Sequence, residues 1–324
     1  MRTPNEMNDH DRPQTIIALN NLHKKHGDTV ALCGLSLTVP RGSIFALLGP
    51  NGSGKTTTLK LLLGMARADS GQGHVFGLRI DNEKDSVAIR QRTGFVSETK
   101  ELFQQLDVET TIGMVRGFYP KWKHETEHRL LSEFALPLKQ RVSALSKGLR
   151  AQLALLVACS RDAELLILDE PTDGLDPASA EQLLKTLVGM VAESGVTVFL
   201  SSHQLHEVER VADGVAIMHE GRVVLQGELD ELRGSVRRID VKRHTTNDDS
   251  KSVDWSQFIP DGTLLLHSNG PDNHHSLMVR GNAELVEQNV QEFFRVRHSN
   301  EDIDINVHPV APRELFLTLT DAMH

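Results

Sequence analysis

Cysteine is nearly missing from this chain: Cys33 and Cys159 are the two in 324 residues. That excludes a disulfide framework, and because both lie in apolar stretches they are expected to be buried, reduced thiols of a cytosolic protein. Aromatic residues make up only 4 %. Against that background Phe118-Tyr119-Pro120-Lys121-Trp122 is a concentration, readable either as an exposed docking patch or as the packed core of a turn. Long apolar runs are also lacking. Ile44 to Leu48 and Ala151 to Ala158 fall far short of the roughly 20 residues a bilayer-spanning helix requires. The opening MRTPNEMNDHDRPQ has no apolar segment, so residues 1–14 are expected to be a disordered tail, neither signal peptide nor anchor. Concentrated positive charge is absent as well, with a net charge of −9. Arg237-Arg238 and Lys242-Arg243-His244 read as solvated strand edges, with anionic lipid headgroups as the alternative, and no nucleic-acid partner is expected.

What remains is an ordinary globular composition, 39 % hydrophobic and 24 % charged, long enough for one large α/β domain and a small one. It carries one strong motif. Gly49-Pro50-Asn51-Gly52-Ser53-Gly54-Lys55-Thr56 fits GxxxxGK[ST] and follows Ile44 to Leu48, a run that reads as a buried strand. Glycines at 49, 52 and 54 let backbone N–H groups turn inward, and a helix beginning near Gly54 and running to about Gly64 adds the positive end of its dipole. Such a loop binds phosphates. Lys55 reaches the β- and γ-phosphates, Thr56 offers a hydroxyl to Mg²⁺, and Thr57 touches the phosphate chain from the first helical turn.

A second apolar run, Leu165 to Leu168, reads as a central parallel strand and delivers Asp169 and Glu170 to its C-terminal edge, where ligands of open α/β sheets bind. Asp169 is placed to hold the Mg²⁺ shell and Glu170 to polarise an attacking water. Val196 to Leu200 reads as a third buried strand, with His203 following it. An imidazole there can hydrogen-bond both a phosphate oxygen and the catalytic carboxylate.

Together these segments resemble the nucleotide-binding subunit of an ATP-binding cassette (ABC) transporter over residues 15 to 235. Leu145-Ser146-Lys147-Gly148-Leu149 is similar to that family's signature loop LSGGQ. The resemblance implies that Ser146 and Gly148 contact the γ-phosphate bound to an opposite subunit, so the working unit is a homodimer or a heterodimer with a paralogous ATPase subunit. Gly174-Leu175-Asp176-Pro177 resembles the D-loop, with Asp176 coupling the two sites, and His203 takes the place of the residue that senses the γ-phosphate. Four departures accompany these matches. Glu98 stands where the family usually carries the glutamine that approaches Mg²⁺, Lys147 and Leu149 replace a glycine and a glutamine of the signature, and His26, in a turn ahead of the first strand pair, takes the place of the aromatic that stacks on adenine.

The implied fold is an α/β P-loop NTPase cassette with an antiparallel β subdomain and a helical subdomain at about 100–160. In that subdomain Val108 to Gly117, His124 to Phe134 and Leu149 to Cys159 show helical periodicity. Strand candidates Arg238 to Lys242, Thr263 to His267, Ser276 to Val279 and Ile303 to His308, with a helix from Glu284 to Phe294, outline a C-terminal α+β appendage over 236–324. His274-His275 is not read as a metal site, because adjacent residues on a strand point apart. The expected function is ATP hydrolysis, with Mg²⁺, that powers separately encoded transmembrane permease subunits from the cytoplasmic face of the inner membrane. An exporter of antibiotics, peptides or lipids is the resemblance's nearest subgroup. An importer ATPase and a soluble non-transport ABC ATPase stand as alternatives.

Overall fold

The computed structural model describes residues 14–243, 254–270, 274–297 and 303–321. The expected tail, apart from Gln14, and the polar loop from His244 to Ser252 lie outside them. The chain divides into two compact units after Gln226.

The first unit opens with an antiparallel hairpin of β1 (Thr15–His26) and β2 (Thr29–Pro40), from which Ile17, Leu19, Leu35 and Leu37 are buried. Asn20-Asn21 interrupt the apolar alternation that begins at Ile16. In the structure Asn21 takes a left-handed φ of 51° at a register shift and the strand resumes beyond it, so His26 ends β1 instead of preceding the strand pair. β3 (Ile44–Leu48) is buried along its whole length and feeds the glycine-rich loop into α1 (Lys55–Leu62), which stops two residues short of the expected Gly64. β4 (Ser70–Val75), β5 (Leu78–Arg79) and α2 (Glu83–Gln91) follow. None was anticipated: Ser70–Val75 holds two glycines and no apolar alternation, and its strand character comes from pairing with β1.

β6 (Thr93–Val96) leads into α3 (Val108–Arg116), α4 (His124–Glu133) and α5 (Lys147–Cys159). Asp107 and Ser146 cap α3 and α5 by accepting the backbone N–H groups of Thr110 and Leu149. α5 is apolar on nearly every side and buried. Burial pushes the Cys159 thiol up to about 12, so it stays neutral. Cys33, expected to be buried too, is half-exposed on β2 and accepts a contact from the Arg222 guanidinium at 3.1 Å. Six elements follow: β7 (Leu165–Asp169), α6 (Pro177–Ser194), β8 (Thr197–Ser202), α7 (Leu205–Val211), β9 (Gly214–His219) and the edge strand β10 (Arg222–Glu228).

These strands form a four-stranded antiparallel sheet, β2-β1-β4-β5, and a six-stranded sheet, β10-β9-β3-β8-β7-β6. In the second sheet β9, β3, β8, β7 and β6 pair in parallel. Leu59, Leu61 and Leu62 of α1 are fully buried in the cluster that joins the two sheets. Register then decides where the motifs meet. Leu48 lies opposite Ser202 and Asp169 opposite Ser201, so the glycine-rich loop, Asp169-Glu170 and His203 leave the sheet side by side at its C-terminal edge.

The second unit contains α8 (Leu229–Ser235), β11 (Val236–Arg243), a 3₁₀ turn at Trp255–Phe258, β12 (Leu264–Asn269), β13 (His274–Arg280), α9 (Ala283–Arg297), β14 (Ile303–Pro309) and α10 (Pro312–Asp321). Its sheet order, β12-β13-β11-β14, is antiparallel throughout, a split arrangement in which α9 connects β13 to β14. One face of the sheet packs Ile239, Val241, Leu277 and Val279 against Val286, Val290 and Phe294 of α9. His274 is exposed, whereas His275 is buried, stacked on Trp255 at 4.4 Å and hydrogen-bonded to Ser268 Oγ at 2.7 Å. Among the described residues no helix is long and apolar enough to cross a membrane.

Candidate functional site

Gly54 caps α1 with a φ of 105°, a conformation that side chains rarely adopt, and a Cβ there would come within 2.5 Å of the Ala31 carbonyl. Gly221, in the turn between β9 and β10, presses on the same carbonyl: its Cβ would lie 2.7 Å away. The glycine-rich loop is therefore clamped against β2. Lys55, the first residue of α1, is only 6 % exposed. Its ammonium donates to the carbonyls of Gly49 (2.7 Å) and Pro50 (3.2 Å) and lies 3.1 Å from Oε1 of Glu170.

The carboxylates at the end of β7 are held by β8. Ser201 Oγ donates to Asp169 Oδ1 at 2.6 Å and accepts the Glu170 N–H at 2.9 Å, so one hydroxyl spaces both acids. Glu170 has a left-handed φ of 45°, which costs a side-chain-bearing residue about 1–2 kcal/mol. Its Oε2 accepts from Nδ1 of His203 at 2.9 Å and from the His203 N–H at 3.3 Å. An ionised carboxylate only accepts, so that geometry puts a ring hydrogen on Nδ1 and turns Nε2 away from Glu170. Glu170 thus stands between a cation and an imidazole at the same sheet edge.

Beside them is a cavity of about 370 Å³ lined by Thr29, Val30 and Ala31, by Asn51, Gly52 and Gly54 to Thr57, and by Glu98 and Glu170. Here the glycine-rich loop, the residue after β7 and Glu98, two residues beyond β6, come together. The Thr56 hydroxyl and the Glu98 carboxylate line this cavity as hard oxygen donors, while Asp169, the third expected ligand, is 2% exposed and lies behind the lining with Ser201 on its Oδ1. That set suits Mg²⁺, which takes few protein ligands and completes its shell with water and phosphate oxygens, and no group of three or more His, Cys, Asp or Glu side chains forms a metal cage among the described residues. His26 is exposed and does not line the cavity. The wall it was expected to supply is Thr29 to Ala31, where Val30 is 48 % exposed.

Ser146, Gly148 and Asp176 assemble elsewhere. Gly148 lies against the start of α6, where a Cβ would meet Ser179 Oγ at 2.7 Å, and Ser179 Oγ donates to Asp176 Oδ2 at 2.6 Å. Asp176 also caps α6, accepting from the N–H groups of Ala178 and Ser179. The signature loop and the D-loop are adjacent to each other, while neither lines the cavity beside Lys55.

Sequence reasoning missed Lys100. It is 9 % exposed, and its ammonium donates to three backbone carbonyls, Glu98 at 3.3 Å, Glu170 at 3.2 Å and Asp173 at 3.2 Å. Burial pushes its pKa below that of an ordinary lysine, against the pull of Asp173, Glu98 and Glu170. This one side chain ties the segment after β6 to the left-handed turn that presents Glu170. A lone lysine in a polar loop gives no warning of that in the sequence. Lys100→Met is expected to lower kcat for ATP about tenfold with KM within twofold, and Lys100→Arg to recover part of the loss, as steady-state phosphate release would show.

A phosphate-cradling loop, an adjoining acid pair and a histidine on one parallel sheet edge define a P-loop ATPase. The family model for ABC transporter matches residues 32–173. An uncharacterized ABC transporter ATP-binding protein of Nostoc sp. is 37% identical over 213 residues, a match that spans 64% of this chain and 62% of that one, less than two thirds of its length. Nod factor export ATP-binding protein I of Burkholderia lata is 36% identical over 66% of this chain and 71% of its own. A solved ATP-binding subunit of an ABC transporter superposes with a TM-score of 0.61 at 31% identity, covering 68% of this chain and 92% of that one. The chain belongs to the ATP-binding subunits of ABC transporters: it binds ATP and hydrolyses it.

Proposed function

We propose that the chain is the motor subunit of an exporter, working at the cytoplasmic face of the inner membrane on separately encoded transmembrane subunits. The observation that carries this reading is Glu170, held by Lys55 and His203 beside the phosphate-binding loop. Likeness to a protein named for Nod factor export supports the direction of transport. Antibiotics, peptides and lipids are the cargo classes in view.

In this reading Gly49 to Thr57 wrap the triphosphate, with Lys55 moving from Glu170 onto the β- and γ-phosphates. Thr56, Asp169 and Glu98 would hold Mg²⁺, which when bound neutralises phosphate charge. Glu170 then takes a proton from the attacking water while His203, oriented through Nδ1, contacts the γ-phosphate. Ser146 and Gly148 lie outside the cavity of their own chain, which supports a role in trans: a second copy or a paralogue supplies them, and Asp176 links the two sites. Thr29 to Ala31, in place of His26, are assigned to the base side of the nucleotide. The second unit is an accessory domain.

Expression of the tagged chain together with its chromosomal neighbours tests this reading. Recovery from detergent-solubilised membranes in complex with a polytopic membrane protein, with turnover raised by that partner, is expected. Recovery only in the soluble fraction, on ribosomes or DNA, would overturn it.

A further inference from the structure

The parallel strands have a second edge. Residues immediately ahead of β3, β6, β7 and β8, together with the loop between α3 and α4, line a cleft of about 830 Å³ at the N-terminal ends of those strands. This is the edge opposite the one that carries Lys55 and Glu170. In a chain of net charge −9, the cleft gathers five cations against two carboxylates.

The pairing within it leaves positive charge over. Glu164 is shared by two guanidiniums, Arg92 (2.6 Å) and Arg41 (3.2 Å), and Asp162 is taken by Lys123 at 2.8 Å. Arg161 has no carboxylate within ion-pair distance among the described residues. Its guanidinium lies 3.9 Å over the Tyr119 ring, donates to the Arg90 carbonyl at 3.0 Å, and keeps its Nε buried without a partner. Burial pushes its pKa down, the sign of a cation held at a cost. Lys121 is exposed on the same wall, and Phe118 is 70 % exposed at the rim. Two of the five aromatic-segment positions are accounted for by packing: Tyr119 lies under Arg161, and Trp122 donates to Glu127 at 2.5 Å. Phe118 is not.

We propose that this cleft is a binding site for an organic phosphate, its phosphate group held by Arg161 and Lys121 and its apolar part laid along Phe118. A guanidinium and an ammonium lining one cleft supply charge-assisted donors to the oxygens of an anionic phosphate, monoester or diester. The volume lies within the range of small-ligand sites and far exceeds what a simple anion fills. Occupancy has a route to the motor. Arg161 follows α5 by two residues, and α5 carries Ser146 at its other end, a rigid rod of about 20 Å at 1.5 Å per residue.

Binding of the full-length protein to phosphatidylglycerol vesicles, to phosphatidylcholine vesicles and to free glycerol phosphate tests the site and distinguishes a lipid headgroup from a soluble source. Expected is binding to phosphatidylglycerol vesicles, to glycerol phosphate or to both, weakened at least tenfold in Arg161→Gln/Lys121→Gln and steeply by salt, with ATP turnover in the absence of either probe unchanged. Lys121→Gln alone, at an exposed position, should weaken binding severalfold and serves if the double variant does not fold. Equal binding by parent and variants, or no binding of either phosphate probe by the parent, would overturn the proposal.

Discussion

Glu170→Gln is expected to lower ATP turnover by about 10²–10⁴-fold, the contribution of a positioned general base, while leaving ATP bound. The side chain keeps its shape, and its amide oxygen still accepts from Nδ1 of His203, which lies 2.9 Å from Oε2 in the native protein. What it loses is basicity and the attraction to Lys55. In the proposed dimer of two such sites, the variant should accumulate as an ATP-bound pair, seen by light scattering as a doubling of mass on adding Mg·ATP. Retained phosphate release would remove Glu170 from the role assigned to it.

Lys55→Met has the second large effect. Charge-assisted hydrogen bonds to phosphate are worth about 1.5–3 kcal/mol each, so loss of contacts to two phosphates should raise the Kd for ATP about 10²-fold or more, read by titration with a fluorescent nucleotide. A second consequence follows from burial. Glu170 and Lys55 side chains are 9% and 6% exposed, and removing one partner strands the other's charge at a cost of about 3–5 kcal/mol. The nucleotide-free variant should therefore unfold at lower denaturant concentration, and adding Glu170→Gln should restore much of that stability without restoring ATP affinity. If the two substitutions are simply additive in a double-mutant cycle, the 3.1 Å pair is not an energetic unit.

The parts of the site legible in the sequence are those at the ends of β3, β7 and β8, because parallel strands buried on both faces are written as unbroken apolar runs with the chemistry directly after them. Helix starts were legible to within two residues at Ser146, where a capping side chain marks the boundary. Elements stabilised by partners at long range were not. β4 owes its shape to β1, and β1 itself runs through an asparagine bulge that breaks its period. Ser201 and Lys100 act through contacts with residues 31 and 70 positions away, which no local pattern encodes. Cys33 looked buried from its apolar neighbours, yet strand alternation leaves it at a half-exposed position.

The Ala31 carbonyl, pressed on one side by Gly54 and on the other by Gly221, makes the base side and the phosphate side of the pocket a single jaw. Its two halves cannot drift apart independently, so nucleotide meets a surface already in place and little ordering entropy is lost within this part of the chain on capture. In the proposed dimer, what travels when ATP arrives is then the opposing face on the second subunit, with the stiffness of this jaw setting how much of that travel is delivered as force.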